Sequence, residues 1–277
     1  GAFGALYCAI VLQWPWYLCL LAAMLFGAIW GALPGIFKAY LNINEVITAI
    51  MFNWIGLYMV NDIMYGKGKS PMYDLASTKT YSLRKAAPQA MIPSLGMSEL
   101  FGKLQSVTIA IFIAIFFAIV VYIILNKTAF GYELRACGFN KNAARYAGIN
   151  EKRNIILAMM ISGALAGVGA GLYYLSTVAE WNPQVSTALP AMGFNGISTA
   201  LLACSNPIGT IFSSLFISYI TVGGTKLSTQ YYTKEIADVI TALIIYLCAF
   251  SLLFKNKIRA LLVGKAKRVS VGKGGDD

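Results

Sequence analysis

The sequence predicts an all-α, polytopic transmembrane helical bundle, and three observations carry that prediction. Hydrophobic residues fill 58% of the 277 positions and charged residues 12%, about half the charged share of a soluble domain; mean hydropathy is +0.67. Long tracts carry no charge at all: 1–37, 104–126, 154–179, 181–225 and 239–254. About 20 apolar residues, rising 1.5 Å each, cross a hydrocarbon core of roughly 30 Å. Several tracts are therefore long enough to span, and 181–225 is long enough for two short passes. Unbroken runs such as Val107 to Leu125 contradict the alternating strands of a membrane barrel. Lipid cannot satisfy free backbone groups, so these runs must be helical.

The elements follow in order. Segment 1–13 reads as the end of a span. It begins Gly1-Ala2-Phe3, without a Met or a charged leader, so the chain is expected to be a fragment lacking its N-terminus. Trp14-Pro15-Trp16 reads as an interfacial belt and turn. A second span covers 17–37 and ends at Lys38. A third, 45–64, follows Asn42 and Asn44, both good helix caps, with Glu45 in its first turn. Residues 65–105 form the sizeable polar stretch, with Pro71, Pro88 and Pro93. The fourth span is 106–126, and a basic loop runs from Lys127 to Arg153. The fifth, 154–178, leads to a Glu180-Trp181-Asn182-Pro183 turn. Two shorter pieces, 190–204 and 208–224, are split by Ser205-Asn206-Pro207, and a last span at 236–254 runs into a basic tail. About eight membrane segments thus form a single domain over 1–277.

Orientation follows from Lys and Arg counts. Alternating the spans puts Lys38, the 127–153 loop and the 255–277 tail on one side, with fourteen basic residues, against eight on the other. The richer side is cytoplasmic, which makes 65–105 an extracellular loop. This distribution also explains the net charge of +11 without nucleic acid, because Lys and Arg avoid the apolar tracts. The odd set Cys8, Cys19, Cys137, Cys204 and Cys248 argues against a disulfide framework. With no histidine, His-based metal sites and Ser-His-Asp chemistry are excluded. Gly68-Lys69-Ser70 resembles the end of a phosphate-binding loop, but Ile63 stands where its first Gly belongs. No nucleotide site is encoded, and no bound cofactor is expected.

Four features are candidates for function. The 131–148 stretch has helix-forming Asn142 to Ala147 and a Gly stop at Gly148; it fits a solvated positive-inside loop or a short helix that docks into a soluble partner. Asn53, beside Trp54, sits near the middle of the third span. An amide there needs partners, so it serves helix–helix contact or a substrate path. Gly193-Phe194-Asn195-Gly196 opens a piece too short for a comfortable span, between Pro190 and Pro207. Such interrupted helices are tolerated when buried or lining a cavity, which places Phe194 and Asn195 by the translocation path in one of two readings. Gly27, Gly31 and Gly35 recur every four residues, as do Gly163, Gly167 and Gly171. That spacing lets helix backbones approach closely, and the matching ladders hint at an internal repeat.

Asn142-Ala143-Ala144-x-x-x-Gly148 is similar to the Glu-Ala-Ala-x-x-x-Gly coupling loop of ABC importer permeases; Asn142 stands where that family has Glu, and the later Ile-x-Leu-Pro element is absent. Arg135-Ala136-Cys137-Gly138 through Ala144, with Gly148-Ile149, resembles the permease family shared by branched-chain amino acid, ribose and nucleoside importers. Lys38-Ala39-Tyr40-Leu41-Asn42-Ile43-Asn44-Glu45-Val46-Ile47-Thr48 resembles its nucleoside branch. So do Gly193-Phe194-Asn195-Gly196-Ile197, Ala200-Leu201-Leu202 and Asn206-Pro207-x-Gly209. The family's upstream Asn-Ile-Gly-x-Glu-Gly element has no counterpart here. The resemblance implies that Arg135, Gly138, Asn142, Ala143, Ala144 and Gly148 couple to an ATPase subunit that uses the ATP. It also implies a second permease subunit, an extracellular substrate-binding lipoprotein and a nucleoside cargo, with simple sugars or branched-chain amino acids as alternatives.

Other function classes are less well supplied. An ion-coupled secondary transporter usually holds carboxylates at mid-membrane, whereas Glu45, Asp62, Glu180 and Asp238 fall near span ends. A membrane-embedded enzyme would need an intramembrane carboxylate pair, histidine or metal cluster, and none is found. The chain is thus expected to be a non-enzymatic, multi-pass transport subunit of the cell membrane.

Overall fold

A computed structural model describes residues 1–65, 71–74, 79–94, 108–178, 180–181 and 191–225, with positions 236, 239–240, 242–244 and 246–247. The chain divides into two units, Gly1–Pro190 and Ala191–Asp277.

The first unit opens with α1 (Ala2–Ile10), α2 (Trp16–Leu41) and α3 (Glu45–Tyr65). A two-stranded antiparallel ribbon follows, β1 (Tyr73–Asp74) and β2 (Lys79–Thr80), with Tyr73 opposite Thr80 and Asp74 opposite Lys79. Then come α4 (Leu83–Ala86), a 3-10 turn at Pro88–Ala90, α5 (Ala110–Lys127), α6 (Ala129–Phe139), α7 (Lys141–Tyr146) and α8 (Glu151–Leu175). The second unit holds α9 (Ala191–Leu202) and α10 (Pro207–Thr225). Among the described residues, five helices are long and apolar enough to cross a membrane: α2, α3, α5, α8 and α10. In the expected last span, positions 236, 239–240, 242–244 and 246–247 are helical. Asn182-Pro183, Pro190 and the 255–277 tail lie outside the described residues.

Local chemistry sets the boundaries, and several of them differ from the sequence reading, the fifth span running Glu151–Leu175 rather than 154–178. The second span does not stop at Lys38. It continues to Leu41 because Asn42 adopts the left-handed conformation (φ 52°) that closes a helix. Lys38 lies in that last turn, where a cation suits the helix dipole. Asn42 therefore ends α2 rather than starting α3. Only Asn44 caps α3, its Oδ1 accepting from the Val46 N–H at 2.9 Å. The fourth span begins at Ala110, four residues later than expected.

The packed core of the first unit lies where α2 runs along α8, with α1 against both. Ala5, Cys19, Ala23 and Leu175 are fully buried there. By contrast, α5 has no buried residue and α3 has one, Thr48, among its described positions. Their apolar flanks suit lipid. The polar stretch is tied to the end of α8: the Thr80 N–H donates to the Trp181 carbonyl at 3.0 Å and the Ile92 N–H to that of Leu175 at 3.2 Å.

The basic stretch is more structured than expected. Residues 127–153 hold two helices, α6 and α7, rather than a loop with one helical turn. In the second unit α9 is twelve residues long, about 18 Å, too short to cross. Cys204 and Ser205 take positive φ (51° and 58°) in the turn to α10. Asn206 caps α10 by accepting from the Ile208 N–H at 3.0 Å, and Ser213 Oγ donates back to the Thr199 carbonyl at 2.8 Å.

Candidate functional site

The two glycine ladders of the first unit face each other. A Cβ at Gly27 would meet the Gly163 carbonyl, and one at Gly31 would lie 2.6 Å from the Met159 oxygen. At Gly35 it would sit 3.1 Å from the Ile156 Cα. Reciprocally, Gly163 abuts the Gly27 carbonyl, Gly167 that of Ala23, and Gly171 the Ala23 side chain. Lacking side chains at Gly27, Gly31, Gly163 and Gly167, α2 and α8 touch backbone to backbone.

Beside this seam lies a cavity of about 550 Å³, closed on its third side by α3. Its lining follows helical faces: Gly27, Trp30, Gly31 and Pro34 on α2; Ala49, Phe52 and Asn53 on α3; Met159, Ser162, Gly163, Ala166, Gly167 and Ala170 on α8. Such i, i+3, i+4 spacing is one stripe of each helix. Trp30 meets Phe52 edge-to-face, centroids 5.8 Å apart at 84°, and Phe52 meets Phe37 at 5.6 Å. Gly56 leaves room for the Trp30 indole, a Cβ there falling 3.1 Å from the ring. The result is an open, largely apolar and aromatic cavity in which Asn53 of α3 and Ser162 of α8, both exposed, are polar groups. That pairing of π-face with amide and hydroxyl suits a flat, polar ring rather than an ion.

The four expected path residues separate. Asn53 lines this cavity, while Trp54 is one residue and about 100° further around the helix. Trp54 stacks on Tyr58 at 6.1 Å and is absent from the described lining. Phe194 and Asn195 stand on α9, in the other unit; Phe194 is exposed, Asn195 half-buried. Sequence reasoning missed Trp30, Phe52 and Ser162. Their signal was the face each shares with a glycine or with Asn53.

A second candidate surface is the α6–α7 pair. Thr128 starts α6 by accepting from the Gly131 N–H at 3.1 Å. Asn140 starts α7, its Oδ1 accepting from the Asn142 and Ala143 N–H groups at 3.0 and 3.2 Å. Gly148, at φ +78°, ends it, and the Ile149 N–H returns to the Ala144 carbonyl at 3.0 Å. Ala144 is buried, while Asn142, Ala143, Gly138 and Arg135 are exposed. Arg135 donates to Asn126 Oδ1 at 3.3 Å. The base is held by Asn154 of α8, 2% exposed, which donates to Glu133 Oε2 at 3.2 Å. Phe139, the last residue of α6, and Tyr146, the last of α7, both unforeseen from sequence, are 90% and 94% exposed. Aromatic side chains so exposed on a capped, anchored helix are the usual anchors of a protein interface. Among the described residues no His, Cys, Asp and Glu cluster could hold a metal.

A family model described as the permease component of a branched-chain amino acid transport system matches residues 1–249. The chain is 32% identical to the nucleoside ABC transporter permease protein NupB of Lactococcus lactis subsp. cremoris, over 93% of this chain and 69% of that protein. It is 31% identical to the guanosine ABC transporter permease protein NupP of Bacillus subtilis, over 91% of this chain and 68% of that one. The glucose ABC transporter permease protein TsgB13 of Haloferax volcanii is 24% identical over 86% of the chain and 62% of its own length. No solved structure matches.

Proposed function

The chain belongs to the family of branched-chain amino acid transport system permease components, and from that premise we propose that it carries nucleosides across the cell membrane through the cavity at Asn53. It is an integral membrane subunit of an ABC importer, a transport component rather than an enzyme. Membership of this family sets aside an ion-coupled secondary transporter.

The observation that carries the cargo is the chamber itself. Its volume of about 550 Å³ lies within the roughly 300–1,000 Å³ of small-molecule sites. Trp30 and Phe52 offer aromatic rings, and Asn53 offers both a donor and an acceptor for a base edge. The permeases named for nucleosides and guanosine support the same cargo. Arg135, Gly138, Asn142, Ala143, Ala144 and Gly148 lie on or beside α7, with Phe139 and Tyr146 as the aromatic anchors for an ATPase subunit. A second permease would complete the path, and an extracellular binding lipoprotein would deliver the nucleoside to the side bearing 65–105. ATP is used by the partner. The permease itself does no covalent chemistry; it binds cargo and partners differently in two states, and closure of the ATPases on α7 alternates access to the cavity.

The test is ATP-dependent uptake of labelled guanosine, adenosine, uridine, ribose and leucine into vesicles holding the full-length permease with its ATPase and partner permease. Saturable nucleoside uptake, lost in Gly148→Arg, is the expected result. Uptake of ribose or leucine alone would reassign the cargo within the family.

A further inference from the structure

We propose that the Lys38–Glu45 ion pair and the Lys152–Tyr40 contact form a clasp that transmits the position of the docking helix α7 to the cavity-lining helix α3. The proposal rests on the reading of α7 as the place where the ATPase pushes, and adds the route by which that push reaches Asn53.

The route is needed because α3 is thinly held. Among the described residues its main packing is against α2, and only Thr48 is buried. A stiff helix with few neighbours takes its position from its ends. At the inner end, Lys38 Nζ lies 2.6 Å from Glu45 Oε2, closing the three-residue corner between α2 and α3. The Lys38 side chain is only 18% exposed, so its stem is packed and its charge is aimed. Lys152, the second residue of α8, places Nζ 5.1 Å from the centroid of the Tyr40 ring, near the end of α2. Cations from α2 and α8 thus meet the two helices at this corner, Lys38 on Glu45 and Lys152 on Tyr40.

Mechanically the chain of contacts is continuous. α7 packs on α8, α8 runs along α2, and the clasp hands the inner end of α2 to α3. Asn53 is eight residues beyond Glu45, about 12 Å along the same helix. A shift of the Glu45 end therefore carries Asn53 with it. Glu45, Lys38, Tyr40 and Lys152 touch no cargo in this account; they are positioning residues. The test separates transmission from simple support.

The measurement is guanosine imported per ATP hydrolysed, in proteoliposomes of the full-length permease with its ATPase and partner permease. Glu45→Gln and Lys152→Gln are expected to keep ATP hydrolysis within about two-fold of the parent while the ratio falls about three-fold, the scale of a partly exposed charge contact. Exchanging the charges, Lys38→Glu with Glu45→Lys, should restore most of the ratio. Tyr40→Phe should retain it and Tyr40→Leu should not; this pair decides the matter if a charge variant fails to assemble. An unchanged ratio in Glu45→Gln and Lys152→Gln overturns the clasp. So does equal loss of hydrolysis and uptake without recovery in the exchange, which marks a merely structural role. A parent protein that shows no ATP-dependent import overturns the importer reading and the clasp together. A parent that imports alongside unaltered variants overturns the clasp alone.

Discussion

Gly163 shows how one missing side chain sets the geometry of this protein. A Cβ there would meet the backbone of Gly27 on the facing helix, and neither backbone can yield without parting α2 from α8. Gly163→Ala is therefore expected to destabilise by about 1–3 kcal/mol, the range for overpacked sites, read as a lowered Tm in detergent. Gly169, on the same helix, has open space around it; Gly169→Ala should leave Tm unchanged or raise it, since Ala is the better helix former by about 1 kcal/mol. Equal losses at both positions would contradict the seam. Asn53 carries the other residue-level prediction. Asn53 is exposed in the cavity, so Asn53→Leu should preserve folding and lower guanosine uptake by about tenfold, the loss of one or two hydrogen bonds to the cargo. Normal uptake in that variant would move the cargo elsewhere.

At the scale of elements, α7 is short and owes its shape to its ends. Six residues are too few to hold a helix by propensity alone. Asn140→Ala removes the side chain that receives two of its N–H groups, at a cost of about 1 kcal/mol, and should loosen the ATPase complex. Phe139→Ala and Tyr146→Ala should weaken ATPase capture by the purified permease at least about tenfold if they are anchors, with Tm unchanged because both rings are exposed. Retained capture in the double variant would place the interface elsewhere. The same element shows what was legible in the sequence. The Asn142-Ala143-Ala144 run and Gly148 announce a helical turn with a stop. The preceding α6 was not read as a helix: Gly131 and Gly138 interrupt its pattern, and glycine propensity argues against it. Gly131 is there because a Cβ would strike the carbonyls of Ile124 and Leu125 at the corner with α5. A tight turn, not a loop, required it.

For the whole molecule, orientation is the property most open to test. In a cysteine-free background, Tyr146→Cys should react with an impermeant maleimide only from the cytoplasmic side, and Arg84→Cys only from outside. The opposite labelling would invert the topology drawn from the fourteen and eight basic residues. Membrane class and the main spans were determined by the sequence alone. Partitioning into lipid is a sum over consecutive residues, and each span pays it without reference to its neighbours. The tertiary structure decided which faces meet. It set Gly27 and Gly31 of α2 against Gly163 and Gly167 of α8 and Gly35 against Ile156, added Trp30, Phe52 and Ser162 to the cavity, and parted Asn53 from Trp54. These pairings join segments more than a hundred residues apart. Helix contact in a bilayer depends on the fit of two surfaces rather than on the apolarity of either, so no reading of one segment could supply them.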